Sequence, residues 1–346
     1  MMAAVLVLAF GAAGQESGVD ITQVLESGPK GSLAIRATQG TAGGASPAHS
    51  DVEIDLIHRN QSIRHIEAQL DENAVVVVGD LPVGIGIRPI VTIHFAGVTY
   101  REIGPEMNAD NPNRAMDVTV YEVTEEEPNW RVAMRQVVTS PSSQSVVVRE
   151  TVVVENPGDR TWLGGEKDER DNRTSVRLIL PEGVQNVSLD AGFHGWCCTR
   201  LDGNVLGVQM PLMPERVSYR FSYEVPVVGG QAHLQFAAPV LTSMLTVFVP
   251  ENSAEMTPVG LTPGGMQATE FGAMRMFEGK AIAGGQSAGL TLSGLFAMDT
   301  PITPVNSDSP GSGSLMRIVA GVGLAALVVG AIVIVTMKKP KPESTA

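Results

Sequence analysis

The sequence predicts an all-β ectodomain of two β-sandwich units, followed by one C-terminal transmembrane helix. Three observations predict it. From Gly31 onward, apolar and polar residues alternate in short runs, the period-2 signature of strands. Turn residues are dense, with 37 Gly and 22 Pro among 346 residues, and no useful stretch carries a helical period. One long apolar run, Ile318–Met337, stands near the end of the chain.

Composition narrows the function classes. Hydrophobic residues make up 43% and charged residues 18%, so the chain can build cores and is not disordered as a whole. The formal net charge is −13 and the isoelectric point about 4.9, an acidic surface that repels phosphate backbones and argues against nucleic acid as a partner. Two cysteines exclude a disulfide-dense scaffold and a four-thiolate zinc site.

The chain starts with a short apolar stretch, Ala3–Phe10, followed by the small residues Ala12, Ala13 and Gly14. Residues 1–14 read as an export signal, although the usual basic residue before the apolar stretch is missing.

The first unit spans residues 28–104. Its expected strands are Ser32–Thr38, Val52–His58, Ile63–Leu70, Ala74–Val78, Ile90–Phe95 and Val98–Tyr100, spaced as in a small sandwich. Within it, Leu70-Asp71-Glu72-Asn73, then Val75–Val78, then Gly79-Asp80-Leu81-Pro82-Val83-Gly84 form a recognisable series. Residues 31–100 thereby resemble the carboxypeptidase regulatory-like, or prealbumin-like, β-sandwich domain. The chain departs from that pattern in having Asn73 near the usual turn glycine and valines at the aromatic positions. The resemblance implies a structural spacer or a carbohydrate- or protein-binding module, with no catalytic residues to carry over.

Pro105–Arg114 is polar and turn-rich, and is the expected boundary. Its Asn108, Asp110 and Asn111, with Asp117, offer oxygen ligands for calcium but lack EF-hand spacing. The second unit, residues 115–297, is expected to be one larger sandwich or two small ones. Its expected strands begin with Asp117–Val123, Val132–Val138, Ser145–Val154 and Ser175–Leu180. They continue with Val205–Met210, Val217–Val225, Ala232–Phe236, Leu241–Phe248 and Gln286–Leu295. This unit resembles uncharacterised bacterial extracytoplasmic β domains anchored by one membrane helix, which implies neither an activity nor residue roles.

Residues 298–314, rich in Pro, Ser and Gly, form an extended stalk. The apolar run at 318–337 is long enough as a helix to cross roughly 30 Å of hydrocarbon. Lys338, Lys339 and Lys341 follow it, against Arg317 alone before it, so the basic tail at 338–346 belongs in the cytoplasm. Gly321/Ala325 and Ala326/Gly330 give the span small residues four apart, a spacing compatible with a homodimer. The expected location is a bacterial inner membrane with a periplasmic ectodomain. Three N-x-S/T sequons, at Asn60, Asn172 and Asn186, also suit a eukaryotic secretory route.

The most unusual local feature is Phe193-His194-Gly195-Trp196-Cys197-Cys198. Cys197 and Cys198 admit three readings: a structural vicinal disulfide or buried thiols, a metal or redox site, or an interchain disulfide. A soft metal site would draw on His194, Cys197, Cys198, Met210 and Met213, a donor set suited to Cu(I). Trp130, Trp162 and Trp196 are the candidate binding aromatics, with Trp162 inside the long charged loop Asn156–Asn172. Each can equally be a core residue.

Other motifs fail inspection. Gly285–Gly289 matches G-x-S-x-G, but a strand-like run follows Ser287 and no histidine lies beyond His233, so it reads as a β-turn. Gly272–Lys280 has the wrong glycine spacing for a phosphate loop, and Ala281 occupies the Ser/Thr position. Gly84-Ile85-Gly86 lacks a third glycine and precedes a strand, so a dinucleotide site fails too. His58 and His65 are placed to face each other across a hairpin, and no helical H-E-x-x-H pair exists.

The sequence thus predicts a membrane-anchored extracytoplasmic protein that binds or scaffolds without catalysis and without a cofactor. A protein or glycan is the expected partner outside the membrane. The alternatives are a carbohydrate-binding module built on the tryptophans and a copper or thiol-redox protein built on Cys197 and Cys198.

Overall fold

The computed structural model describes residues 27–269 and 272–295, all of them in strands and connecting turns apart from a helical start at Ser27. The expected export signal, stalk, membrane span and tail lie outside the described residues.

The first sandwich has two sheets. One holds β4 (Val75–Pro82), β1 (Lys30–Gln39) and β7 (Asn113–Val120) in that order. The other holds β3 (Gln61–Gln69), β2 (Asp51–His58), β5 (Ile87–Phe95) and β6 (Val98–Ile103). Alternation does the work here: Leu33, Ile35 and Ala37 on β1 and Val52, Ile54 and Leu56 on β2 all point into one core.

β7 corrects the expected boundary. It runs parallel to β1, with Ile35 opposite Met116 and Ala37 opposite Val118. Its Met116, Val118 and Val120 close the first core, and Met107 in the connecting stretch is fully buried there. The segment read as a linker therefore belongs to the first sandwich.

The second sandwich is built on a sheet of seven strands in the order β13 (Gln185–Ala191), β16 (Glu215–Pro226), β10 (Ser145–Asn156), β9 (Arg131–Pro141), β18 (Thr242–Pro250), β21 (Gly272–Ile282) and β20 (Thr262–Thr269). Two sheets of three strands cover its inner face. One is β12 (Val176–Ile179), β15 (Val205–Val208) and β14 (Thr199–Asp202); the other is β17 (Ala232–Ala237), β22 (Ser287–Ser293) and β19 (Glu255–Val259). All three share one core. A short parallel pair, β8 (Val123–Thr124) with β11 (Thr161–Trp162), completes the structure.

A bulge decides what enters this core. On β9, Val132 pairs with Val154 and Met134 with Val153, so Ala133 is an extra residue. Beyond it the parity changes, and Arg135, Val137 and Thr139 point inward.

Candidate functional site

Two places concentrate polar chemistry: the joint between the sandwiches and the loop Gly192–Cys198. A third polar cluster is buried in the second core.

The joint is built from β1's outgoing loop, the β7–β8 connection and the turn before β11. Thr41 is almost fully buried. Its Oγ1 donates to the Asp159 carbonyl at 2.6 Å and accepts from the Glu122 amide at 2.9 Å. The Ala42 amide donates to the Asp159 carboxylate at 3.1 Å, and the Thr161 amide to the Glu122 carbonyl at 2.9 Å.

At its centre, the Tyr100 hydroxyl donates to the Tyr121 carbonyl at 2.7 Å. Its single proton is thereby spent, so Thr161, 2.9 Å away, donates to the Tyr100 oxygen. Both residues are buried, and burial raises the Tyr100 phenol above its ordinary value. Leu163 and Met213, from the second unit's loops, pack against the first core. Beside the joint lies an open cleft of about 620 Å³ lined by residues including Tyr121, Glu155, Asp159, Glu215 and Arg216. Glu155 there accepts from Arg131 at 2.6 Å and from Arg216 at 2.9 Å, and the Arg131 bond is the chief cause holding its carboxyl below the usual range.

In the second core, the Arg135 guanidinium donates to both Glu150 carboxylate oxygens, at 2.7 and 3.0 Å. Its remaining contacts go across the sandwich, to the Ala237 carbonyl at 3.1 Å and the Ile179 carbonyl at 3.2 Å. The Phe236 ring lies 5.3 Å below the guanidinium carbon, and the Tyr223 hydroxyl donates to Glu150. Burial alone would lower the Arg135 pKa, but Glu150 outweighs it and holds the group above its ordinary value. With its charges paired and its hydrogen bonds reaching both covering sheets, this is a clasp between layers.

The loop Gly192–Cys198 is fixed at both ends. Gly192 has φ +84°, and an added Cβ would lie 2.1 Å from the Ser218 carbonyl oxygen, so only glycine fits there. Phe193 packs on Tyr219, with ring centres 5.0 Å apart, and edge-on to Phe221. At the far end the Gln209 amide donates to the Cys198 carbonyl at 2.8 Å. Between these anchors, Trp196 is 51% exposed and Cys197 is exposed.

Both cysteines are thiols, with Sγ atoms 3.1 Å apart. Cys197 also donates to the His194 carbonyl at 3.3 Å. The reading of buried thiols is therefore corrected: the pair stands at the surface, only Cys198 being half-buried.

The other predicted site residues scatter. Trp130 and Trp162 are buried, at 6% and 3% exposure, which corrects both as binding aromatics. Trp162 docks its charged loop onto the core, and the Trp130 indole donates to Glu127 at 2.9 Å. Met213 packs against the first core and Met210 against the second, so Met213 is not part of a donor set with Cys197 and Cys198. The His194 side chain is exposed. No group of three or more His, Cys, Asp or Glu side chains able to hold a metal occurs among the described residues.

His58 does not oppose His65. His65 pairs with Asp55 on β2, its Nδ1 3.0 Å from the carboxylate, and His58 pairs with Gln61. Ser287 begins β22 after a turn at Gly285, as its surroundings predict, and Gly272–Lys280 lies in β21.

No protein-family model matches the sequence, and no curated protein sequence matches it. Among solved structures, a variant of BcpA, the major pilin subunit of Bacillus cereus, is 11% identical. The match covers 75% of this chain and 87% of that one, with a TM-score of 0.19. The full-length RrgB pilus protein of Streptococcus pneumoniae is 7% identical over 75% of this chain and 61% of that one, also with a TM-score of 0.19. The all-β class rests on the strands described above.

Sequence reasoning missed the buried clasp and the joint. One signal pointed to the clasp: on Ser145–Asn156, Glu150 shares its parity with Val146, Val148, Val152 and Val154, and so had to face inward. The joint's pairing strands are two residues each and carry no periodic signal.

Proposed function

We propose that this chain is a membrane-anchored extracytoplasmic scaffold, in which two sandwiches act as one jointed body that holds a partner-binding surface away from the bilayer. One observation carries this reading: the joint is made of buried, mutually satisfied hydrogen bonds centred on Tyr100 and Thr161, with side chains of one unit packed into the core of the other. A flexible linker would leave such groups to water, whereas here they are buried and paired, and Leu163 and Met213 pack against the first core. The predicted stalk and membrane span extend the reading to its location. The carbohydrate-binding alternative is weakened because two of its three tryptophans are core residues.

Limited proteolysis of the full chain on spheroplasts, whose outer membrane has been opened, tests the proposal. An external protease is expected to leave residues 27–295 as one fragment, released by cuts outside it. A cut between Tyr121 and Trp130, the chain that joins the sandwiches, yielding two stable halves would contradict the joint, and full protection in spheroplasts would contradict the extracytoplasmic location.

A further inference from the structure

We infer that Cys197 and Cys198 form a reversible dithiol–disulfide pair, oxidised by exchange with a disulfide-bearing partner, and that its state repositions the exposed Trp196.

The geometry is prepared for closure. The Sγ atoms stand 3.1 Å apart, and a disulfide needs about 2.05 Å, so closure moves them together by roughly 1 Å. Both ends of the loop are anchored, at Phe193 in the aromatic cluster and at the Cys198 carbonyl. The adjustment therefore falls on Gly195, Trp196 and Cys197. Gly195 has φ +94°, and a Cβ placed on it would meet nothing within 4 Å, which leaves room on that side for the movement.

The position also says what the bond is for. A disulfide stabilises chiefly by closing a long loop in the unfolded chain, and adjacent residues close almost none. Oxidation here would thus add little to the stability of the sandwich. A surface position instead gives exchange partners access.

The chemistry balances with one co-reactant. The exposed Cys197, as thiolate, attacks a disulfide RSSR, forming Cys197–S–S–R and releasing one RS⁻, which takes up a proton. The hydrogen bond with Cys197 holds the Cys198 thiol above its ordinary pKa, so it follows as the second nucleophile. After losing its proton it attacks the Cys197 sulfur and expels the second RS⁻. Two thiols lose two electrons, and one RSSR becomes two RSH. Trp196, directly before Cys197 and 51% exposed, moves with the ring that forms.

The chain has two cysteines, so thiol counting is unambiguous. The full-length protein is reduced with dithiothreitol, desalted, treated with glutathione disulfide, denatured and alkylated with iodoacetamide. Intact mass is expected to show loss of two hydrogens, no retained glutathione and no alkylation. Renewed reduction should restore two alkylated sites per chain. Cys198→Ser should stop at the mixed disulfide and retain one glutathione. Tryptophan fluorescence should change on oxidation of the wild type, and Trp196→Phe should abolish that change. Retained glutathione on the wild type, a covalent dimer, or thiols that reduction does not restore would overturn the pair. A fluorescence change that survives Trp196→Phe would overturn the coupling.

Discussion

Arg135 and Glu150 form a two-bonded ion pair inside the second sandwich, with side chains 6% and 0% exposed. They are diagonal neighbours on one face of the large sheet, since Arg135 opposes Val152 two residues from Glu150. The bulge at Ala133 makes the pair possible by turning Arg135 inward. From there its guanidinium reaches a carbonyl at the end of each of the two covering sheets, Ile179 and Ala237. The pair thus ties three sheets at one point.

Removing one partner strands the other charge in the core. Glu150→Ala is expected to cost about 3–5 kcal/mol in chemical denaturation. Replacing both, as Arg135→Met with Glu150→Leu, should cost far less and leave a folded protein. If the double variant is as unstable as the single one, the clasp contributes more than charge compensation.

The joint should respond to small changes. Thr161→Val removes the hydroxyl that donates to Tyr100 and is expected to cost about 1 kcal/mol. Gly40→Ala places a Cβ about 2.2 Å from the Tyr121 ring and should cost about 1–3 kcal/mol by overpacking. Both variants should make the connecting chain between Tyr121 and Trp130 newly sensitive to protease.

His65 provides a pH signature. Its hydrogen bond with Asp55 raises its pKa above the ordinary 6.5, against an opposing effect of desolvation. The stabilisation is fully present below the unfolded pKa and is lost as pH rises through the raised folded value. Proton NMR titration should place the His65 midpoint above 6.5, and Asp55→Asn should lower it. A midpoint unmoved by Asp55→Asn would remove Asp55 as the cause.

Glu155 behaves in the opposite sense. Arg131 chiefly, and Arg216 with it, hold its carboxyl below the ordinary 4.5. Its contribution is present above that value and is lost as pH falls through the depressed folded pKa. Glu155→Gln should therefore cost about 1 kcal/mol at neutral pH and progressively less in acid. Stability curves against pH for the two proteins should converge below the carboxylate range.

Much of the fold was legible where one face of a strand is buried. β1, β2 and β10 alternate cleanly because each has one face in a core. β20 was not legible: Thr262–Thr269 is exposed along its whole length and has no alternation to read. β13 and β14 escaped for a related reason, being edge strands with mostly half-buried or exposed residues. The placement of β7 depends on a parallel pairing with β1 some 80 residues earlier, which no local pattern encodes. Of the site, the cysteine pair was visible as two adjacent letters. That Trp162 is buried depends on its pairing with Leu212 and could not be read from its charged loop.

The most direct test of the jointed scaffold is a distance distribution across the joint. Spin labels at Glu67→Cys on β3 and Gln235→Cys on β17, in a Cys197→Ser/Cys198→Ser background, can be measured by double electron–electron resonance. The account predicts one narrow peak, as narrow as that of a label pair within one sandwich, and broadening in Gly40→Ala. A broad or multi-peaked distribution in the otherwise unaltered protein would contradict it.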